Sequence, residues 1–174
     1  METPLSLMHR VERSERALYV RCVDHASTRR WWRAFWTVLT HLGGTVCSIV
    51  AAASPLVLFR SGPIHDAARN ALATLVISHV VVQLVKRTVN RPRPSLREVT
   101  AALVPEPDKF SFPSGHSCAA MAVCFAYALA FPAFAAPLVV LAMLVGASRV
   151  FLGVHYPGDV VIGQIIAVGT AFLV

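Results

Sequence analysis

Six side chains able to do chemistry recur at short spacings from residue 86 onward. Lys86 and Arg93 are separated by six residues, His116 follows Ser114 and Gly115, Arg149 stands apart, and His155 precedes Asp159 by four positions. Three cations without matching acids ask for a multiply charged anion, and guanidinium forks fit phosphate oxygens bidentately. Pro113-Ser114-Gly115-His116 opens an apolar run, which predicts a helix start. Free backbone N–H groups and the positive dipole end favour an anion there, and Gly115 allows close approach. Four positions apart at the start of another helix, His155 and Asp159 share one face. A carboxylate accepting from one imidazole nitrogen fixes the tautomer and leaves the other nitrogen free to attack. His116 supplies a second imidazole, available as a general acid to a leaving oxygen.

These groups need a scaffold, and composition says which. Of the 174 residues 56% are hydrophobic and only 14% charged, with a mean hydropathy of +0.61. Soluble domains carry about a quarter charged residues, so an ordinary soluble enzyme and a disordered scaffold are both excluded. A net charge of +7 raises nucleic acid as a partner. Because the basic residues lie between long uncharged stretches, the expected partner is instead a bilayer, with no nucleic acid. Nothing in the sequence sets an oligomeric state. Cys22, Cys47, Cys118 and Cys124 form no CxxC pair and no metal-ligand spacing. They read as structural thiols, and neither a disulfide, a metal nor a cofactor is implied.

A crossing helix needs about 20 apolar residues. Ala34 to Phe59 has no charged residue and begins with Trp31, Trp32, Phe35 and Trp36 as an aromatic belt. A second run extends from about Ala67 to Val85, and Ser114 to Ser148 makes two more helices around Pro132 and Pro137. Tyr156 to Val174 completes the set. The expected fold is an all-α integral membrane bundle of about five transmembrane helices. Residues 1–33 form a separate segment: seven arginines, with Leu7, Met8, Val11, Leu18, Tyr19 and Cys22 at helical spacing, predict an amphipathic helix in the interface. Lys86 to Pro113, rich in proline, is a long loop between helices. Alternating topology then gathers Lys86, Arg87, Arg91, Arg93, Ser114, His116, Arg149, His155 and Asp159 on one membrane face. Charges at that depth are costly, and a functional site is the default reading.

Three motifs resemble those of the type 2 phosphatidic acid phosphatase family: Lys86 through Arg93-Pro94, Pro113-Ser114-Gly115-His116, and Ser148-Arg149 through His155 to Asp159. All three match in order, over roughly residues 70–174; vanadium haloperoxidases share them on a much larger soluble scaffold. The resemblance implies a metal-independent phosphohydrolase acting on a lipid phosphate or diphosphate; the apolar runs place its transmembrane domain at residues 34–174. His155 would be the nucleophile, Asp159 its orienting partner and His116 the general acid. Lys86, Arg93, Ser114, Gly115 and Arg149 would hold the phosphate. The alternative from another class is a membrane anion-binding or transport protein that recognises phosphate without turnover.

Other polar residues take plainer readings. Arg87, Arg91 and Arg97 read as topogenic charge or headgroup contacts, and His41 and His79 as hydrogen-bonded packing residues. Gln164 reads as a helix–helix bond, and Gly163 and Gly169 as points of close helix packing. His9, His25 and His65 have no partner legible in the sequence. The motif-bearing end holds 14 of the 16 basic residues. The positive-inside rule turns that end toward the cytoplasm, whereas the family resemblance points to the extracytoplasmic side; both stay open on sequence alone.

Overall fold

The computed structural model describes residues 4–94, 102–105 and 108–174, with side chains from residue 12 onward. The side chains of Leu7, Met8, His9 and Val11, and the whole of Arg97, therefore lie outside what is described. Among the described residues seven α-helices follow in order: α1 (Pro4–Ser27), α2 (Arg30–Leu42), α3 (Thr45–Leu58), α4 (Pro63–Val89), α5 (Gly115–Ala130), α6 (Ala135–Phe151) and α7 (Pro157–Ala171). Among the described residues the only extended pairing is an isolated bridge between Pro92 and Phe110.

Local chemistry sets these boundaries. Gly62, at φ 101°, turns the chain into Pro63, which opens α4 with Asp66 in its first turn. Lys86 and Arg87 sit in the last turn of α4, and Asn90, in the left-handed region at φ 50°, ends it. Ser114 caps α5 through its hydroxyl. Pro132 begins a 3-10 turn, Pro132–Phe134, between α5 and α6.

α5 is the central helix, packed by α4, α6 and α7. Alanines make that packing close: Ala119, Ala120, Ala122 and Ala126 are buried in the core. A Cβ on Gly163 of α7 would stand 2.5 Å from the Ser114 carbonyl, so this glycine is required for contact. At Gly169 nothing lies within 4 Å, and its expected packing role is not found.

The single span expected from Ala34 to Phe59 is instead α2 and α3, bent by 48° at Gly43-Gly44. The break falls where neighbours press closest. A Cβ on Gly43 would stand 2.8 Å from the His116 carbonyl and 2.6 Å from Val145 Cγ1. α4 and the Pro132–Phe151 segment are long and apolar enough to cross a bilayer, as is the bent pair taken as one span. α5 and α7, of 16 and 15 residues, are shorter apolar helices. The expectation of about five crossings thus includes two helices below full span length. Large apolar side chains face outward along these elements, with Val57 84%, Val38 67% and Ile165 58% exposed. The chain is an integral membrane protein.

α1 buries Tyr19, Val23 and Ala26, a stripe at i, i+4 and i+7, against the rest of the protein. Leu18, placed on the apolar stripe from sequence, is half exposed. The contacts of α1 fall at the end of the bundle where α6 passes into α7, with the Tyr19 hydroxyl donating to the Gly153 carbonyl at 3.2 Å.

Candidate active site

Lys86 ends α4, Arg93 lies seven residues on in the following loop, and the Pro92–Phe110 bridge brings residues 108–111 back beside them. Ser111 N–H donates to the Arg91 carbonyl at 2.8 Å and fixes that return. Lys86, Arg93, Gly115, His116 and His155 converge on one cavity of about 480 Å³. Its polar end is made by these groups. Its walls are apolar side chains of α3 and α4, among them Ile49, Leu72, Leu75 and Val80.

Lys86 and Arg93 are almost fully buried, and they are not without an acid. Asp108 Oδ2 accepts from Lys86 Nζ at 2.8 Å, and Asp108 Oδ1 accepts from Arg93 Nη2 at 2.9 Å. Arg93 Nε also donates to the Asp108 carbonyl at 2.6 Å, and Lys86 Nζ to the Phe110 carbonyl at 3.1 Å. This corrects the expectation of uncompensated cations. Partial burial would raise the Asp108 carboxyl, but hydrogen bonds and charge from Lys86 and Arg93 hold it below the usual carboxylate range. Sequence reasoning missed Asp108. Its signal was its position, five residues before Pro113 and six ahead of Ser114.

His155 is 1% exposed. Its Nε2 lies 3.3 Å from Arg93 Nη1, which also donates to the Val154 carbonyl at 2.8 Å. Arginine only donates, so this contact requires a bare Nε2 and, in the neutral ring, a proton on Nδ1. Among the described residues Nδ1 makes no hydrogen bond, and it faces Asp159 Oδ2 at 3.6 Å. Burial, with Arg149 and Arg93 nearby, pushes the imidazole down to about 4, against the opposing pull of Asp159. The resting nitrogen at the cavity is therefore uncharged.

Asp159 has partners beyond His155. Its Oδ2 accepts from Tyr156 N–H at 2.9 Å and its Oδ1 from Arg91 Nη1 at 2.7 Å. Arg91 is thus no topogenic charge: it binds the completely buried carboxylate, with its guanidinium 4.4 Å from the Tyr156 ring centroid. Arg87 is exposed, as a flanking charge would be.

Ser114 and Arg149 stand differently from expectation. Ser114 is fully buried, with its Oγ accepting from Ser117 Oγ at 2.9 Å and its N–H donating to the Asp159 carbonyl at 2.9 Å. It fixes the start of α5 on α7 and does not line the cavity, because an N-cap hydroxyl turns back onto its own helix. Arg149 comes from the other side of His116. Its Nη1 donates to Thr40 Oγ1, its Nε has no partner among the described residues, and it lines a second hollow of about 380 Å³ with Thr40, Gly44 and His116. Elsewhere His41 Nδ1 contacts the Thr37 carbonyl at 2.5 Å, and Gln164 donates to the Ala142 carbonyl at 3.2 Å. His79 faces the cavity, with Nε2 at 3.2 Å from the Gln83 amide.

The model of the PAP2 superfamily matches residues 67–174. The chain belongs to that superfamily. Its relatives within PAP2 include an undecaprenyl-diphosphatase (BcrC) of Bacillus subtilis, 33% identical over 102 residues, covering 59% of this chain and 51% of the relative. A decaprenylphosphoryl-5-phosphoribose phosphatase of Mycobacterium tuberculosis is 40% identical over 88 residues, 50% of this chain and 48% of the relative. The chain spans about half the length of the curated relatives it matches. In three dimensions it is similar to a transmembrane PAP2-type phosphatidylglycerolphosphate phosphatase of Bacillus subtilis, with a TM-score of 0.74 and 26% identity over 94% of this chain and 84% of that one. The LpxE protein of Aquifex aeolicus shares the fold, with a TM-score of 0.77 over 90% of this chain and 92% of that one, at 21% identity.

Proposed function

We propose that this PAP2 protein hydrolyses a membrane lipid phosphate or diphosphate through a phosphohistidine intermediate. The observation that carries the reading is the cavity itself: a bare His155 nitrogen and two buried cations at one end, and apolar walls open to a lipid chain at the other. The names of the relatives support the substrate class.

In this mechanism Lys86, Arg93 and the Gly115 amide hold the phosphate, and Arg149 meets its developing charge from beyond His116. His155 Nε2 attacks phosphorus, and the bond to the leaving oxygen breaks as His116 donates a proton to it. Asp159, facing Nδ1, stabilises the imidazolium form. His116, now neutral, takes a proton from water, whose oxygen attacks the phosphohistidine and releases phosphate and the free imidazole. Ser114 serves by anchoring the start of α5.

We place α1 as a helix lying along the membrane surface at the site end, because Glu15, Tyr19 and Ala26 all meet residues of that end. The balance of basic residues turns that end toward the cytoplasm.

The test is phosphate release by the purified protein in liposomes, with chelator present. The panel is phosphatidate, phosphatidylglycerol phosphate, undecaprenyl diphosphate and a polyprenyl-phosphosugar phosphate. Release from one member, abolished by His155→Ala and inhibited by vanadate, is the expected result. Equal release by the variant, or none from any member while phosphate still binds, would leave anion binding without turnover.

A further inference from the structure

Glu15 lies on α1, ahead of the stretch that the family model matches. Its side chain is 19% exposed, and both carboxylate oxygens are engaged. Oε2 accepts from Arg91 Nη2 at 2.8 Å, and Oε1 from Gly158 N–H at 2.6 Å. The other arm of the same guanidinium binds Asp159 Oδ1. Arg91 thus bridges two carboxylates, one on α1 and one in the first turn of α7, with its plane set over Tyr156. Gly158 is where α1 can come this close, because a Cβ there would collide with Glu15 Oε1.

We propose that Glu15 is a positioning residue: through Arg91 it sets the Asp159 carboxylate that faces His155. The proposal rests on the phosphohistidine reading. An arginine held by one carboxylate can swing; held by two and stacked on a ring, it has one orientation. Asp159 Oδ1 is thereby committed to Arg91, which leaves Oδ2 turned to the Tyr156 N–H and to His155 Nδ1. Glu15 also satisfies a backbone N–H in the first turn of α7, so the segment bearing His155 is gripped from outside the bundle. Neither bond touches the cations at the cavity, so Glu15 acts on the nucleophile and not on phosphate affinity.

The experiment compares Glu15→Ala, Glu15→Gln and Gly158→Ala with the wild type in liposomes. Outer partners that orient a metal-ligating imidazole are worth about 10- to 100-fold, and the lower end of that range is taken for this metal-free one. E15A is expected to lose about tenfold in kcat with KM within about twofold. E15Q, whose single amide oxygen can accept from only one of the two donors, regains part of that loss, and G158A repeats it without touching a charge. In an Arg91→Ala background E15A adds no further loss, as a shared route requires. A readout without turnover accompanies these: ring nitrogen shifts of 15N-histidine protein in micelles, with the His155 signal assigned by its absence in H155Q. The Nδ1–H tautomer is expected in the wild type and a mixture in E15A. If no lipid is turned over, the phosphatase reading fails while the tautomer comparison still decides the role of Glu15. Unchanged kcat and unchanged ring shifts in E15A would overturn the proposal. So would a raised KM at constant kcat, or losses that add in the double variant.

Discussion

Asp108→Asn is the most informative single change, because Asp108 occupies the cations that a phosphate would need. The carboxylate pairs with Lys86 and Arg93 at 2.8 and 2.9 Å, while the carbonyls of Asp108 and Phe110 bind the same two side chains. Asparagine keeps those carbonyl bonds and the side-chain volume, removes the charge, and turns one of the two accepting oxygens into a donor. Breaking a buried pair costs about 3–5 kcal/mol, but exposed pairs are worth about 1 kcal/mol or less. With the Asp108 side chain 38% exposed and both cations buried, we take about 1.5 kcal/mol. For a chain of this length that lowers the unfolding midpoint in phosphate-free detergent by about 3–6 °C. The same quantity is what an incoming phosphate must displace, so D108N binds inorganic phosphate or vanadate about tenfold more tightly. Thermal unfolding with and without ligand, beside calorimetric titration, measures both effects. A variant as stable as the wild type would refute the pairing argument. A weaker Kd would mean that Asp108 helps to hold the phosphate.

Three further outcomes are expected. Below its ordinary value of 6.5 in the unfolded chain and down to about 4 in the folded one, His155 takes up a proton more readily when unfolded. Stability from this group is therefore complete above pH 6.5 and is lost as pH falls toward 4, by about 3 kcal/mol. Unfolding midpoints across that window should fall more steeply in the wild type than in H155Q; parallel curves would contradict the lowered value. Gly163→Ala forces a methyl onto the Ser114 carbonyl and should cost about 2 kcal/mol, whereas Gly169→Ala, with open space, is neutral or stabilising. Equal midpoints for the two variants would undo that distinction. In intact cells, a chain whose only cysteine replaces Ser27 should be protected from an impermeant maleimide, and labelling would turn the site end outward.

The cationic motifs were readable because each fixes residue types at fixed spacing near helix ends, and successive helices turn back on one another. Lys86, Arg93, His116 and His155 needed only that rule to meet at one cavity. Asp108 did not follow from it, since its pairing depends on how a proline-rich loop folds back through one bridge. Arg91 resembles any flanking arginine until the Asp159 carboxylate is seen against it. The α2–α3 bend was hidden for a different reason. Two glycines in an apolar run permit a crossing or a break, and the crowding of His116 and Val145 decides between them. On α1 the buried stripe follows Tyr19, Val23 and Ala26, with small residues that a search for large apolar positions passes over.

That bend has an evolutionary consequence. Thr40 receives Arg149, and Gly43 lies under the carbonyl of His116, yet both precede the stretch by which the superfamily is recognised. Substitutions in this kink could retune the far wall of the reaction chamber while every signature residue stays untouched. Two chains with identical motifs could then diverge in preference, and grafting residues 67–174 onto a foreign leading segment would transplant the signature without the wall that completes it.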